Sequence, residues 1–319
     1  MADIVRIYDL RLGDFCDQPR ADLVVALGNF DGVHIAHQAL LTRTVAIAKR
    51  LNIDRPTRSA AWCFDPPSSY HLGYTAGHLS TTREKLALLS QCGLDYAYLA
   101  DFTAVRSLSP QDFVQKALVR DANVVSAVCG FNYRFGKGGS GTEQHLRCIL
   151  GEQAVEVVAP QYVLVGGERI LVSSTAVRAA LAQGDAETVT ALLGRPYSLT
   201  GPVVHGKRLG RTLGLPTINQ NVPKDKLMPK SGIYVSHVCF GGETFDGVTN
   251  VGHRPTVDGS DATVNCETHI LDLDRDLYGE TVTVEFLHRL RDEQRFDSVQ
   301  ALKAAIQGDV AAAKQYFER

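Results

Sequence analysis

The stretch Gly28-Asn29-Phe30-Asp31-Gly32-Val33-His34-Ile35-Ala36-His37 follows directly on the apolar run Leu23-Val24-Val25-Ala26-Leu27 and opens into Gln38-Ala39-Leu40-Leu41. A short aliphatic run ending in glycine, followed by leucines at helical spacing, predicts strand, tight turn and helix. At such a corner the helix N-terminus presents unpaired N–H groups and a positive dipole end, which suits a phosphate. His34 and His37 lie three residues apart, so they share one face of the first turn and can point at the same anion. The plainer reading, a corner whose histidines are solvated caps, would have to explain the glycines, Asp31 and both histidines separately.

Working outward, a chain of 319 residues is long enough for two domains. Apolar residues make up 45% and charged ones 21%, the balance of a globular protein with two cores. With 33 basic and 35 acidic side chains the net charge is −2, which gives no reason to expect nucleic acid or an anionic membrane as partner. Seven cysteines are scattered and include no Cys-x-x-Cys pair, so they read as reduced, mostly buried thiols. No secretory signal is visible at Met1-Ala2-Asp3-Ile4-Val5-Arg6, and no apolar run approaches the roughly 18 residues of a membrane span. The expectation is a soluble, cytoplasmic protein that acts on small molecules; self-association is left open.

N-terminal to the opening motif, Ile4 to Tyr8 reads as an edge strand. Beyond it, a helix over about His37 to Lys49 carries Leu40, Leu41, Val45 and Ala48 on one face. The strand Ser59 to Phe64 is stopped by Asp65-Pro66-Pro67, which leaves Asp65 at its C-terminal end. Thr81 or Thr82 caps a further helix; Tyr96 to Leu99, a helix near Pro110 to Leu118 and the strand Val124 to Cys129 follow. This alternation argues for a parallel sheet covered on both faces, with ligands beyond the strand C-termini at Gly28, Asp65 and Gly130. The loop Phe131-Asn132-Tyr133-Arg134-Phe135-Gly136-Lys137-Gly138-Gly139-Ser140-Gly141 can lay an aromatic ring along a flat ligand and leave Lys137 near phosphate, or simply turn the chain. In Ser173-Ser174-Thr175-Ala176-Val177-Arg178 a serine caps a helix, with Thr175 and Arg178 on one face as a second anion cradle.

Gly184-Asp185 splits the next periodic run into two short helices, and the domain boundary is placed there: 1–184 and 185–319. Short alternating strands follow, at Leu199 to Val204, Gly232 to Cys239, Phe245 to Val251, Val264 to Leu271 and Thr281 to Leu287. With only one terminal helix, Val299 to Glu318, they suggest a small β-barrel. Within it, Gly206-Lys207-Arg208-Leu209-Gly210-Arg211-Thr212-Leu213-Gly214-Leu215-Pro216-Thr217-Ile218-Asn219 combines glycines with positive charge, as a polyphosphate requires. Thr217 and Asn219 alternate on a strand, so they share a face and offer the oxygens magnesium accepts. Glu267 stands between apolar neighbours in Val264 to Leu271. Such an acid either takes a proton from a substrate hydroxyl or pairs structurally with Arg254 or Arg291.

With these residues assembled, the chain resembles the prokaryotic bifunctional riboflavin kinase/FAD synthetase family over nearly its whole length. The resemblance rests on GNFDGVHIAH, Phe64-Asp65-Pro66, GFNYRFGKG, SSTAVR, GKRLGRTLGLPTIN, SGIY, GVTNVGHRPT, ETHILDLDRDLYG and RLRDEQRF, in that order. It implies an α/β plus β architecture: an N-terminal Rossmann-like nucleotidyltransferase with a parallel sheet, then a small flavokinase β-barrel with a terminal helix. His34 and His37 match the histidines that hold ATP phosphates and steady the departing pyrophosphate. Asn132 matches the polar residue of the flavin-side loop, and Ser174, Thr175 and Arg178 match the second phosphate cradle. Thr217 and Asn219 match the magnesium and nucleotide ligands, and Glu267 the catalytic base. Gly28, Phe30, Asp31, Asp65, Gly206, Lys207, Arg211, Gly214, Pro216 and Arg291 fall in the same motifs and are expected to bind nucleotide or flavin.

The implied chemistry is phosphorylation of riboflavin to FMN by magnesium ATP, then adenylylation of FMN to FAD with release of pyrophosphate. The chain departs from the family pattern at four places: Ala36 stands where glycine is usual and Pro67-Ser68 where His-Pro is usual. Gly139 replaces a common arginine, and Ile218 replaces alanine. Two other readings compete, a kinase-only enzyme with a degenerate adenylylation site and a non-catalytic flavin-sensing protein.

Overall fold

The computed structural model describes residues 5–65, 77–206, 214–254 and 263–318, without the side chains of 253, 254 and 263. The chain divides into two compact units, Met1–Ser174 and Thr175–Arg319.

The first unit is organised on a seven-stranded sheet. Its strands are β1 (Val5–Asp9), β2 (Asp14–Cys16), β3 (Asp22–Leu27), β4 (Thr57–Phe64), β5 (Tyr96–Ala100), β6 (Val124–Gly130) and β7 (Val155–Val158), in the order β2-β1-β5-β4-β3-β6-β7. From β5 to β7 the pairing is parallel throughout. The expected edge strand at the N-terminus is instead second from the edge, because it folds back into an antiparallel hairpin with β2; Ile4 lies outside the described residues.

Period-2 alternation sends the residues of β3 to two cores. Leu23, Val25 and Leu27 pack with Trp62, Tyr98 and Phe113 on one face, while Val24 and Ala26 meet Leu40, Leu41 and Ile47 on the other. Those last side chains belong to α1 (Ile35–Leu51), whose buried residues Leu40, Leu41, Thr44, Ile47 and Ala48 recur at helical spacing. Thr81 caps α2 (Thr82–Gln91) in a capping box: its hydroxyl accepts from Glu84 N at 3.2 Å, and the Glu84 carboxylate accepts from Thr81 N at 2.8 Å. The helix expected near Pro110 is a single α-turn that runs into a π-helix, Phe113–Asp121. It is followed by α3 (Glu143–Leu150) and by a separate hairpin, β8 (Tyr162–Val165) with β9 (Glu168–Leu171), which the sequence reading did not anticipate.

In the second unit, α4 (Ser174–Gln183) and α5 (Ala186–Leu193) are separated by Gly184, which adopts φ +79°, and Asp185 caps α5 through Thr188 N at 2.9 Å. Both helices go with the barrel. Lys230 N donates to Leu181 O at 2.9 Å, and a side chain at Gly184 would overlap Arg289. The unit boundary at 174/175 therefore precedes the 184/185 division that the change of pattern suggested. Strands β10 (Tyr197–Val204), β11 (Ile218–Asn221), β12 (Gly232–Phe240), β13 (Glu243–Arg254), β14 (Thr263–Ile270) and β15 (Thr281–Arg291) close into a barrel in the order β10-β11-β14-β13-β12-β15. All its pairings are antiparallel. A buried hydroxyl chain, Ser236–Thr249 at 2.7 Å and Thr249–Thr268 at 2.9 Å, satisfies polar groups on one face of β12, β13 and β14. The alternate residues Val235 and Val248 face outward, where Ala313 of α6 (Val299–Phe317) packs on them. Arg291 at the end of β15 grips Asp309 of α6 through two bonds of 2.7 Å.

The thiols are all free, but only Cys63, Cys129 and Cys266 are buried; Cys16, Cys92 and Cys239 are half-buried and Cys148 is exposed. The expectation of mostly buried thiols is corrected, because Cys16 and Cys239 lie on strands near a sheet edge or turn and Cys148 on the outer side of α3. Leu41 has no exposed surface between α1 and the sheet. Its replacement by alanine is expected to destabilise the first unit by about 2–5 kcal/mol, read as a lowered urea midpoint for that unit's transition.

Candidate active sites

In the first unit the strand order runs β3-β4-β5 to one side and β6-β7 to the other, so the crevice between the C-terminal ends of β3 and β6 is where the topology reverses. Open α/β sheets bind ligands at this place. A cavity of about 960 Å³ lies there, lined by Gly28, His34, His37, Asn132, Lys137 and Ser174 and by the aromatic residues Phe64, Phe102, Phe113, Tyr133 and Phe135. The first set suits phosphate and the second a flat ring system.

The turn that supplies the histidines is strained. Phe30 and Val33 take φ of +49° and +41°, which non-glycine residues rarely adopt, and Gly32 takes +78°. Burial holds it in place, since Phe30 and Val33 have almost no exposed surface. The Asp31 carboxylate accepts from Leu79 N at 3.0 Å and Ser80 N at 3.1 Å, and Ser174 Oγ donates to Asp31 O at 3.1 Å. His34 then caps α1: its Nδ1 accepts from His37 N at 3.2 Å, which places the proton of the neutral ring on Nε2. The two imidazoles stack with centroids 3.6 Å apart. Burial, then the neighbouring His34 and Lys85, push His37 well below its usual pKa, so it is neutral near pH 7.

Several residues read from the sequence as binding residues take supporting positions. Phe30 packs beneath the turn, its ring edge-on to His37 at 5.1 Å. Asp31 spends its carboxylate on the backbone. Asp65 accepts from Arg6 and from Thr82 Oγ1, each at 2.6 Å, and is not part of the cavity lining. Thr175 and Arg178 open α4, which belongs to the second unit. Of the departures from the family pattern, Ala36 is an ordinary residue in the first turn of α1, where a methyl is accommodated; Pro67 and Ser68 lie outside the described residues.

Sequence reading missed Lys85. It is almost fully buried on α2, and its Nζ donates to Phe64 O at 3.2 Å at the end of β4. The available signal was a lysine four residues before Leu89 on that helix's apolar face.

In the second unit a cavity of about 430 Å³ is lined by Val203, Gly214, Pro216, Thr217, Thr268, Leu277 and Tyr278, among others. The Tyr278 ring lies against His205, centroids 3.9 Å apart. Asn219 and Glu267 are not part of that lining. They occupy the alternate face of β11 and β14, where they are paired directly across the strands. Asn219 is buried, and a side chain at Gly206 would overlap its amide. Asn265 Nδ2 donates to Glu267 Oε1 at 2.8 Å. Of the two structural partners considered for Glu267, Arg291 is engaged with Asp309 instead, and the Arg254 side chain lies outside the described residues, as do Lys207 and Arg211.

Comparison with known proteins bears on both units. The FAD synthetase family model matches residues 16–176 and the riboflavin kinase (flavokinase) model residues 193–317. The chain is 36% identical over 302 residues to a bifunctional riboflavin kinase/FMN adenylyltransferase of Escherichia coli strain K12, covering 94% of each chain. It is 39% identical over 293 residues to the protein of that description from Pseudomonas fluorescens, covering 91% of this chain and 92% of the relative. The chain belongs to the bifunctional riboflavin kinase/FMN adenylyltransferase family. Its fold matches that of a solved Streptococcus pneumoniae structure described as a macrolide-efflux protein, with TM-score 0.80 and 31% identity over 93% of this chain and 95% of that one. Among the described residues, no helix of this family member is long and apolar enough to cross a membrane.

The depressed pKa of His37 has a consequence for stability. As pH falls below about 6.5, the unfolded chain takes up a proton that the folded ring refuses, so folded-state stability declines toward acid. His37→Asn is expected to flatten this decline in the first unit, by up to about 1.4 kcal/mol per pH unit, when urea midpoints at pH 7.5 and 5.5 are compared.

Proposed function

We propose that the two units perform successive transfers, first phosphorylation of riboflavin in the barrel and then adenylylation of FMN in the sheet unit. The observation that carries this reading is that each unit has its own cavity and its own set of phosphate-suited residues. In one, a helix N-terminus in the cavity lining presents two stacked histidines; in the other, Thr217 lines the cavity, and a carboxylate and a buried asparagine pair on the alternate face of the same strands.

In the barrel, Glu267 accepts the proton of the ribityl 5′-hydroxyl as that oxygen attacks the γ-phosphorus of ATP. The bond to the β–γ bridging oxygen breaks, and ADP leaves. Asn265 donates to Glu267 Oε1 and so orients the carboxylate on its strand. Positioning and charge neutralisation supply most of the acceleration in such transfers. The Thr217 hydroxyl, in the cavity lining, and the Asn219 amide oxygen, on the alternate strand face, are each hard donors of the kind magnesium accepts, and one of them together with substrate phosphates would suffice to hold it. When bound, the metal would neutralise charge on the triphosphate.

In the sheet unit an oxygen of the FMN phosphate attacks the α-phosphorus of ATP, the bond to the α–β bridging oxygen breaks, and pyrophosphate leaves. The attacking group is already ionised near pH 7, so no base is required. His34, with its Nε2–H fixed by the cap, and neutral His37 donate hydrogen bonds to the departing pyrophosphate. Asn132, Tyr133 and the aromatic wall receive the flavin. Ser174, in the cavity lining, supports the same phosphate chemistry.

The direct test is incubation with riboflavin, ATP and magnesium, following FMN and FAD by chromatography; FMN should rise first and FAD follow. Glu267→Gln is expected to abolish FMN formation while FAD still forms from supplied FMN, and the double replacement His34→Ala/His37→Ala should give the opposite pattern. Retained kinase turnover in the glutamine variant would remove Glu267 from its role. Gly206→Ala, which forces Asn219 aside, is expected to raise the kinase KM for magnesium ATP roughly tenfold, the size of a lost hydrogen bond to a charged group. Adenylylation should be unchanged.

A further inference from the structure

The barrel register places a third polar residue in line with the pair already described. Asn219 on β11 opposes Glu267 on β14, and Glu267 opposes Asn250 on β13. Directly opposed residues of antiparallel strands project to the same side with Cβ atoms about 4.5–5.5 Å apart. Asn250 is therefore the immediate neighbour of Glu267 on the face away from the buried Thr249–Thr268 hydroxyls. The row ends at Ile233 on β12 and Arg291 on β15, where α6 covers the barrel.

Two details show how this amide is held. Its Nδ2 donates to Glu293 Oε1 at 3.4 Å, and Glu293 comes within reach because residue 252 is glycine; a Cβ there would overlap the carboxylate. That contact orients the amide and commits its nitrogen to Glu293. The other end, Oδ1, is buried and has no hydrogen-bond partner among the described residues. A buried acceptor without a donor is costly, and such atoms are rare unless a ligand or water completes them. Glu267 is held in a parallel way, one oxygen accepting from Asn265. Neighbouring strands thus present two anchored oxygen acceptors side by side, and hydroxyls on adjacent carbons are spaced to meet such a pair.

We infer that Asn250 orients the substrate of the kinase site by accepting a hydrogen bond from the ribityl 4′-hydroxyl while Glu267 faces the 5′-hydroxyl. This rests on the barrel being the riboflavin kinase. The pair reads a terminal vicinal diol, so the barrel selects a polyol chain by its last two hydroxyls as well as by the flavin ring. Misplacing the 4′-oxygen would swing the 5′-oxygen away from the carboxylate, so the effect falls on turnover as well as on binding.

The test compares wild type and Asn250→Ala on riboflavin and on 4′-deoxyriboflavin, with kcat and KM measured separately. Wild type should lose about 10–100-fold in kcat/KM when the 4′-hydroxyl is removed, the range expected for one buried hydrogen bond. The variant should show a similar loss on riboflavin, no further loss on the deoxy compound, and an unchanged KM for ATP. Equal losses on both flavins, or a raised KM for ATP, would overturn the inference in favour of a structural or metal-side role. If the variant loses the barrel's β-sheet circular dichroism, the wild-type comparison decides alone: undiminished turnover of the deoxy compound overturns it. Failure of the wild type to phosphorylate riboflavin at all would instead refute the kinase reading on which this rests.

Discussion

A turn that the backbone alone would not adopt is kept closed by the carboxylate of Asp31. Between Phe30 and Val33 the chain carries two non-glycine residues at positive φ, one of them β-branched, and such strain persists only where surrounding contacts over-determine it. Asp31 supplies them by accepting from the N–H groups of Leu79 and Ser80, while Phe30 and Val33 fill the core below. The start of α1, the capping bond from His37 N to His34 Nδ1 and the stacking of the two rings all follow from that closure. So does the placement of His37, which lines the cavity yet is buried enough to stay uncharged at neutral pH.

The second unit positions its candidate residues by other physical means. Instead of a helix N-terminus it uses strand register, which sets Asn219, Glu267 and Asn250 in one row across three strands. The period-2 alternation of β-strands sends Thr268 and Thr249 to the opposite face, where they pair with each other and with Ser236 in a buried hydroxyl chain. A one-residue slip of β14 would exchange the two faces and put a carboxylate where the hydroxyls are satisfied. Helix α6 and the Arg291–Asp309 pair close the far end of the row, so the residue expected to bind a cofactor serves as a clamp on the terminal helix.

Where local pattern and tertiary environment agree, the elements were readable. The apolar run of β3, the Thr81 cap, the break at Gly184-Asp185 and the alternation of the barrel strands all appear where the residues suggest. The π-helix Phe113–Asp121 was not readable, because its hydrophobic spacing is compatible with an α-helix and only the hydrogen-bond partners differ. Nor was the β8–β9 hairpin, whose four-residue strands leave Leu164 and Leu171 exposed and so lack a buried face to imprint a pattern. Of the sites, the histidine turn was legible as a strand–turn–helix corner. The division of labour within it, with Asp31 and Phe30 holding and His34 and His37 reaching the cavity, was not.

Sequence by itself determined the two-part organisation, the residue types at each candidate site and the family, because motif order and local periodicity are properties of the chain alone. Tertiary structure decided which of those residues meet. Pairing across a sheet joins positions tens of residues apart, as Asn219, Glu267 and Asn250 are joined, and no local preference encodes that register. Burial decided the rest: the same histidine is a charged surface group or a neutral donor according to what packs around it, and for His37 that environment exists only once the chain has folded.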